Sequence, residues 1–214
     1  MRTLFSLIGA GLLLGLGLGC GGGAAATTTA APPAAATGFT YTDPTGTGWR
    51  LVRNPASTRT RLVLDLVGPS GLMTRGAAFN LRAPQGIRFG RFADGLGVED
   101  AGVYELLNQD TTGDPLEPVL KGAGVKAGNV LTVGLFQKDR RLSAKDSGGP
   151  LFRVALEFDA TAKVNAGGVL PLTVLKARYI AEDIGAFSVN PTVEMAAKAH
   201  TQDFSLAVGT LRAE

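Results

Sequence analysis

The chain of 214 residues contains one cysteine, one histidine and one tryptophan. A single Cys excludes an internal disulfide framework, and with one His beside it no zinc site of the usual Cys and His ligand sets can be assembled. Metal chemistry would have to rest on carboxylates. Charge is also sparse: 18% of residues are charged, Lys+Arg 21 against Asp+Glu 18, a formal net charge of +3 with the basic residues scattered. The counterion-release term that drives nucleic-acid binding therefore has no footprint, and no nucleic-acid partner is expected. Long apolar runs are missing as well. The longest uncharged apolar stretch, Leu4 to Gly19, falls short of the roughly 20 residues a spanning helix needs, and its glycines lower helix propensity further.

What is present at the N-terminus is a leader. Residues 1–20 read MRTLFSLIGAGLLLGLGLGC, one positive charge at Arg2 followed by the Leu- and Gly-rich run, which is the layout of a signal peptide. The only cysteine, Cys20, follows Leu18-Gly19 and precedes Gly21-Gly22-Gly23. This resembles the lipobox of bacterial lipoproteins. The resemblance implies that residues 1–19 are removed and that the Cys20 thiol receives a diacylglyceryl group, a covalent lipid being the only cofactor expected. It also implies a membrane partner through that lipid and an address in the bacterial cell envelope, at the outer membrane on its periplasmic or surface face in a Gram-negative cell. One position departs from the pattern: Gly17 stands where the family usually has Leu, with Leu16 and Leu18 on either side. Each buried methylene contributes ~0.8 kcal/mol, so two or three acyl chains hold a domain at a membrane without a spanning segment. An ordinary secretory signal with a chance cysteine and a short buried apolar segment are the alternatives. A lipidated Cys20 is unavailable for catalysis or metal binding.

Residues 20–38 continue as a Gly/Ala/Thr/Pro tract without charge or large apolar side chains, which cannot bury enough surface to offset its ordering entropy; they are expected to form a flexible linker. Residues 39–214 have the size of one domain, with no internal repeat. Apolar periodicity there has a step of two. Leu62, Leu64 and Leu66 alternate with Val63, Asp65 and Val67, and Phe152, Val154, Leu156 and Phe158 alternate with Arg153, Ala155 and Glu157, as in strands with one buried face. Further strands are predicted at Trp49–Arg53, Ala77–Leu81, Gly86–Phe92, Val130–Gln137, Leu170–Ile180, Ala186–Val189 and Phe204–Arg212. Gly/Pro/Asn/Asp clusters between them read as turns. The one helical candidate is Thr192–His200 behind Pro191. The fold class expected is all-β, a jelly-roll-like two-sheet sandwich.

The order of strands from Ala123 to Ile180 resembles the later half of a cohesin-type domain. A Gly turn leads to Asn129–Phe136, a polar loop at Ser143–Gly149 to the strand Leu151–Phe158, and a turn at Gly167-Gly168 to another strand from Leu170. The resemblance implies a nine-stranded sandwich, related in architecture to carbohydrate-binding modules, that binds a protein or a glycan through one sheet face. A shared fold carries no site with it, and no binding residue is assigned.

Several constellations invite chemistry. Asp146-Ser147-Gly148-Gly149-Pro150-Leu151 resembles the string around the nucleophilic serine of chymotrypsin-like proteases, where glycines shape an oxyanion hole. Here Lys145 replaces the Gly before the Asp, and the only imidazole, His200, lies after the serine instead of far upstream. A turn entering a strand explains the same letters, so no catalytic residue is assigned. Asp94, Glu99 and Asp100, and separately Asp110 and Asp114, have spacings that would offer oxygen ligands to calcium, but neither matches an EF-hand loop and both read as solvated turns. Trp49, Tyr41, Tyr104 and Tyr179 are the whole supply of ring platforms for a sugar, and Trp49 shares a face with Leu51, as a core residue would. Arg50, Arg53, Arg59 and Arg61 form a local basic group, read as a solvated strand face. These features favour a non-catalytic, membrane-tethered binding domain for a protein or glycan. A structural lipoprotein of an envelope complex is the second reading, and a hydrolase at Ser147 the third.

Overall fold

Alternating large apolar residues build the two central strands of one sheet, and a mixed apolar and small-residue pattern builds the other. The computed structural model of the protein describes residues 32–103, 119–137, 144–181 and 201–214, and among them there is no helix. The strands are β1 (Phe39–Thr42), β2 (Arg50–Arg53), β3 (Arg61–Val67), β4 (Met73–Arg82), β5 (Ile87–Phe89), β6 (Glu99–Asp100) and β7 (Val119–Lys126), followed by β8 (Val130–Gln137), β9 (Lys145–Asp146), β10 (Pro150–Phe158), β11 (Thr173–Ala181), β12 (Thr201–Asp203) and β13 (Thr210–Ala213). They form a five-stranded sheet ordered β2-β3-β10-β5 with β6 also on β10, and a six-stranded sheet ordered β12-β11-β4-β8-β7 with β9 also on β4. A ribbon of β1 and β13 completes them. Consecutive strands β3 and β4, β4 and β5, and β10 and β11 switch sheets, so the architecture is the expected all-β, jelly-roll-like sandwich.

The inner faces meet in one core. Leu62, Leu64 and Leu66 of β3 and Phe152, Val154 and Leu156 of β10 face Phe79 and Leu81 of β4 and Leu131, Val133 and Leu135 of β8. Phe79 and Phe152 stack from opposite sheets, centroids 5.8 Å apart and planes within 9°, a contact contributing ~0.5–1.5 kcal/mol beyond its buried area.

The structure corrects the reading of β3 as a strand with one buried face. Val63, Asp65 and Val67 are buried too; the 54–58 turn folds back over Val63 and Asp65, Ser57 Oγ bonding the backbone of Val63. Asp65 stays satisfied there, accepting from Asn54 Nδ2 at 2.7 Å and from Arg153 Nε at 3.1 Å. Of the predicted strand Phe204–Arg212 only Thr210–Arg212 is strand, within β13; Ala207 makes an isolated bridge to Arg50, and β12 ends just before the predicted span. β5 is three residues long instead of spanning Gly86–Phe92, and β11 starts beyond Pro171, which has no N–H to donate. The Ala186–Val189 strand and the Thr192–His200 helix lie outside the described residues.

One end of the sandwich gathers both ends of the compact unit Pro33–Glu214. Ala35 bridges Asn165, Ala36 N donates to Val164 O at 2.8 Å, and Gly38 N donates to Glu214 O at 3.1 Å. The stretch expected as linker thus lies along the body from Ala34 onward. The 127–129 turn closes the same end, Asn129 Nδ2 donating to Ile87 O at 2.7 Å and Ala83 O at 3.1 Å.

Candidate binding face

The sequence candidates that fall within the described residues each have a definite place. Ser147 is fully buried, its Oγ donating to Pro69 O at 2.8 Å. Asp146 takes the amides of Gly71 and Gly148 at 3.0 and 2.7 Å, so the string is a knot joining the β3–β4 and β9–β10 turns. A buried hydroxyl committed to a carbonyl cannot meet a substrate. The carboxylates Asp94, Glu99 and Asp100 do not converge. Asp94 accepts from Lys121 Nζ at 2.9 Å, and that hydrogen bond, with the Leu96 amide, holds its carboxyl below the usual range. Glu99 is taken by Arg153 at 3.2 Å on the five-stranded sheet. Trp49 is 5% exposed and stacks on Phe204 at 4.3 Å with Tyr179 beside it, a core aromatic cluster. Tyr41 is tied at its hydroxyl to Leu51 O and the Gly209 amide. Of the basic group, Arg61 bonds Glu157 and lies over the Phe92 ring, while Arg50, Arg53 and Arg59 are divided among separate partners. Cys20, Tyr104, Asp110, Asp114 and His200 lie outside the described residues.

The outer faces of the two sheets differ in kind. On the five-stranded sheet the charges neutralise one another: Arg61 and Arg88 share Glu157, and Arg153 joins Asp65 to Glu99. On the six-stranded sheet the register stacks outward-pointing residues into rows. Lys126, Val130, Arg82 and Thr173 form the first row, and Gly124, Thr132, Asn80 and Lys176 the second. Gly122, Gly134, Ala78, Arg178 and Asp203 form the third, and Phe136 with Gly76 the fourth. The floor is therefore glycine, alanine and threonine, which leaves backbone within reach of an incoming surface. A shallow depression of about 560 Å³ lies over it, lined by Ala78, Gly122, Gly124, Thr132, Gly134 and Phe136 among others.

Phe136 closes the depression. Its ring lies across Gly134, where an added Cβ would stand 2.9 Å from ring Cε2 and 3.1 Å from Ala78 Cβ. Glycine thus lets an aromatic lie flat on the sheet, half-buried beneath and open above. Thr132 Oγ1 is buried in this floor and makes no hydrogen bond among the described residues. Four cations, Lys126, Arg82, Lys176 and Arg178, rim the rows against one carboxylate, Asp203, which Arg178 hydrogen-bonds and holds below its ordinary range. β7 ends the sheet with no further strand paired to it among the described residues.

Sequence reasoning missed β7, and with it this face. Lys121-Gly122-Ala123-Gly124 has little intrinsic strand preference, and pairing with β8 over eight residues imposes it. The available signal was the run of alternate glycines, Gly122 and Gly124, just before the predicted strand Val130–Gln137.

No family model matches the chain, and no curated protein sequence matches it. Solved structures to which it is similar include the cohesin module of a family 33 glycoside hydrolase from Clostridium perfringens, at 7% identity and TM-score 0.38, covering 80% of this chain and 98% of that one. The seventh ScaB type I cohesin of Pseudobacteroides cellulosolvens aligns at 12% identity and TM-score 0.43, covering 76% and 87%. A type II cohesin domain from the cellulosome of Acetivibrio cellulolyticus aligns at 11% and 0.40, covering 77% and 94%.

Proposed function

We propose that the protein is a non-catalytic binding domain held in the bacterial cell envelope by a lipid on Cys20, and that it takes a protein partner on the outer face of the six-stranded sheet. The side-chain-poor floor of that face carries the reading: rows of Gly, Ala and Thr under one flat aromatic, where a partner's side chains meet backbone and small groups. A glycan is the weaker alternative, because Trp49 and Tyr179 are core residues and Phe136 stands alone on the floor among the described residues. A structural role in an envelope assembly draws on the edge of β7, which pairs with no further strand among the described residues, and on Val125, 57% exposed beside it.

Two measurements test this. Fatty-acid labelling of cells should mark the wild type and be lost in Cys20→Ala; label that persists in the variant refutes lipidation at that residue. For the face, a photo-crosslinking amino acid is placed at Gly124, which has open space around it, or at Arg50 on the opposite sheet. A discrete envelope-protein adduct from position 124, absent from position 50 and abolished by Gly122→Arg, is expected. Equal adducts from both positions, or none, would remove the face as a binding surface.

A further inference from the structure

The end of the sandwich that receives the chain from Pro33 is also where positive charge accumulates. Arg59, Arg82, Arg88, Lys126, Lys163 and Arg212 are all exposed there, and half-buried Arg61 joins them. The carboxylates described at the same end are Glu157, Asp159 and Glu214, so seven basic side chains face three acids, a net +4. The whole chain carries only +3. Scattered in sequence, the surplus is collected in space. Glu157 is consumed by Arg61 and Arg88, and Glu214 is the carboxylate nearest Arg59, at 3.9 Å. Arg82, Lys126, Lys163 and Arg212 form no ion pair among the described residues. Val169, 53% exposed, and Val125 stand among these cations.

We infer that this basic end rests on the anionic headgroups of the membrane that holds the lipid, leaving the six-stranded face turned sideways and accessible. The inference rests on the Cys20 reading proposed above. Three observations point to a lipid surface as the occupant. The chain enters the body at this end, through the hydrogen bonds of Ala36 and Gly38. Twelve Cα-to-Cα steps lead from Cys20 to Pro32, which at full extension reach at most about 43 Å, so the body cannot stray far from the bilayer. Unpaired Lys and Arg beside exposed valines also suit an interface in which cations meet phosphates and small apolar groups enter the headgroup layer.

The test uses the lipid-anchored full protein purified from cells and reconstituted into vesicles. A lipidated Cys20 has no free thiol, so Gln85→Cys at the basic end or Thr47→Cys at the opposite end supplies the only labelling site. A fluorophore there is quenched by spin-labelled lipid. In vesicles with 30% phosphatidylglycerol, quenching at position 85 should exceed that at 47 several-fold. The excess should vanish in phosphatidylcholine vesicles, in 0.5 M salt, and in the triple variant Arg82→Glu, Lys126→Glu, Lys163→Glu. Equal quenching at both positions, or an excess that ignores lipid charge and the triple variant, overturns the inference. If fatty-acid labelling of Cys20 fails, the tether reading is lost separately. The labelled chain, with Cys20→Ser, is then added to vesicles from solution. Salt-sensitive quenching at position 85 supports the basic end, and its absence refutes it.

Discussion

At the scale of single residues, Tyr41 shows how a polar atom is accommodated inside the sandwich. Its hydroxyl donates to Leu51 O at 2.9 Å and accepts from the Gly209 amide at 2.6 Å, tying β1 to β2 and to the segment before β13. Burial pushes the phenol up to about 12, partly opposed by the Gly209 hydrogen bond, with Asp43 adding to the rise. The unfolded chain ionises near 10. Since the folded pKa is the higher one, the neutral ring's contribution is complete below pH 10 and is lost as the pH climbs from 10 towards 12. The loss amounts to about 3 kcal/mol. Tyr41→Phe removes both hydrogen bonds and is expected to cost ~1–3 kcal/mol at pH 8. Urea denaturation of the two proteins should therefore give stabilities that differ at pH 8 and converge by pH 12. A constant gap across that range would mean that Tyr41 does not titrate as its burial requires. Ser147 teaches the same lesson from the other direction. Its protease-like neighbours Asp146, Gly148 and Gly149 are legible in sequence, but only the burial of the hydroxyl against Pro69 identifies the string as a turn knot.

Among the elements, β4 determines whether the candidate face exists. It lies between β11 and β8, and its register with β11 shifts near both ends. Gly76, at φ 140°, is a conformation that L side chains rarely adopt, and a Cβ there would stand 2.6 Å from Phe136 Cα and against Leu135 O. Gly76→Ala is expected to destabilise by roughly 2–5 kcal/mol from backbone strain and overpacking together. Gly122→Ala, exposed and with open space around it, should change stability by less than about 1 kcal/mol. Thermal or urea unfolding of both variants checks the contrast, and comparable effects would show that the close approach at Gly76 is not required. The strands with large alternating residues, β3, β8 and β10, were legible because their inner faces supply most of the core. The short strands β6, β9 and β12 were not, since two or three residues carry no periodicity and owe their conformation to a neighbour already in place.

For the whole molecule, what matters is which residues the fold brings side by side, and periodicity is silent about that. Arg82, Lys126 and Lys163 are separated by 44 and 37 positions and read as scattered charge, yet strand register and the 159–172 loop bring them to one end. Composition suggested a chain with almost no electrostatic character, because its +3 is an average. The fold separates that average into a neutralised sheet, a cation-rimmed sheet and a basic end. The separation matters for orientation. A lipid alone would let the body tumble about its anchor, whereas a basic end on anionic lipid would fix one axis of the sandwich relative to the membrane. The six-stranded face runs along the strands and so roughly parallel to that axis. Its glycine floor would then face neighbouring proteins in the plane of the envelope, with Lys176 and Arg178 on its rim in the second and third rows counted from the basic end. A partner anchored in the same membrane would meet the floor already aligned, and the rotational entropy of docking would be reduced for both.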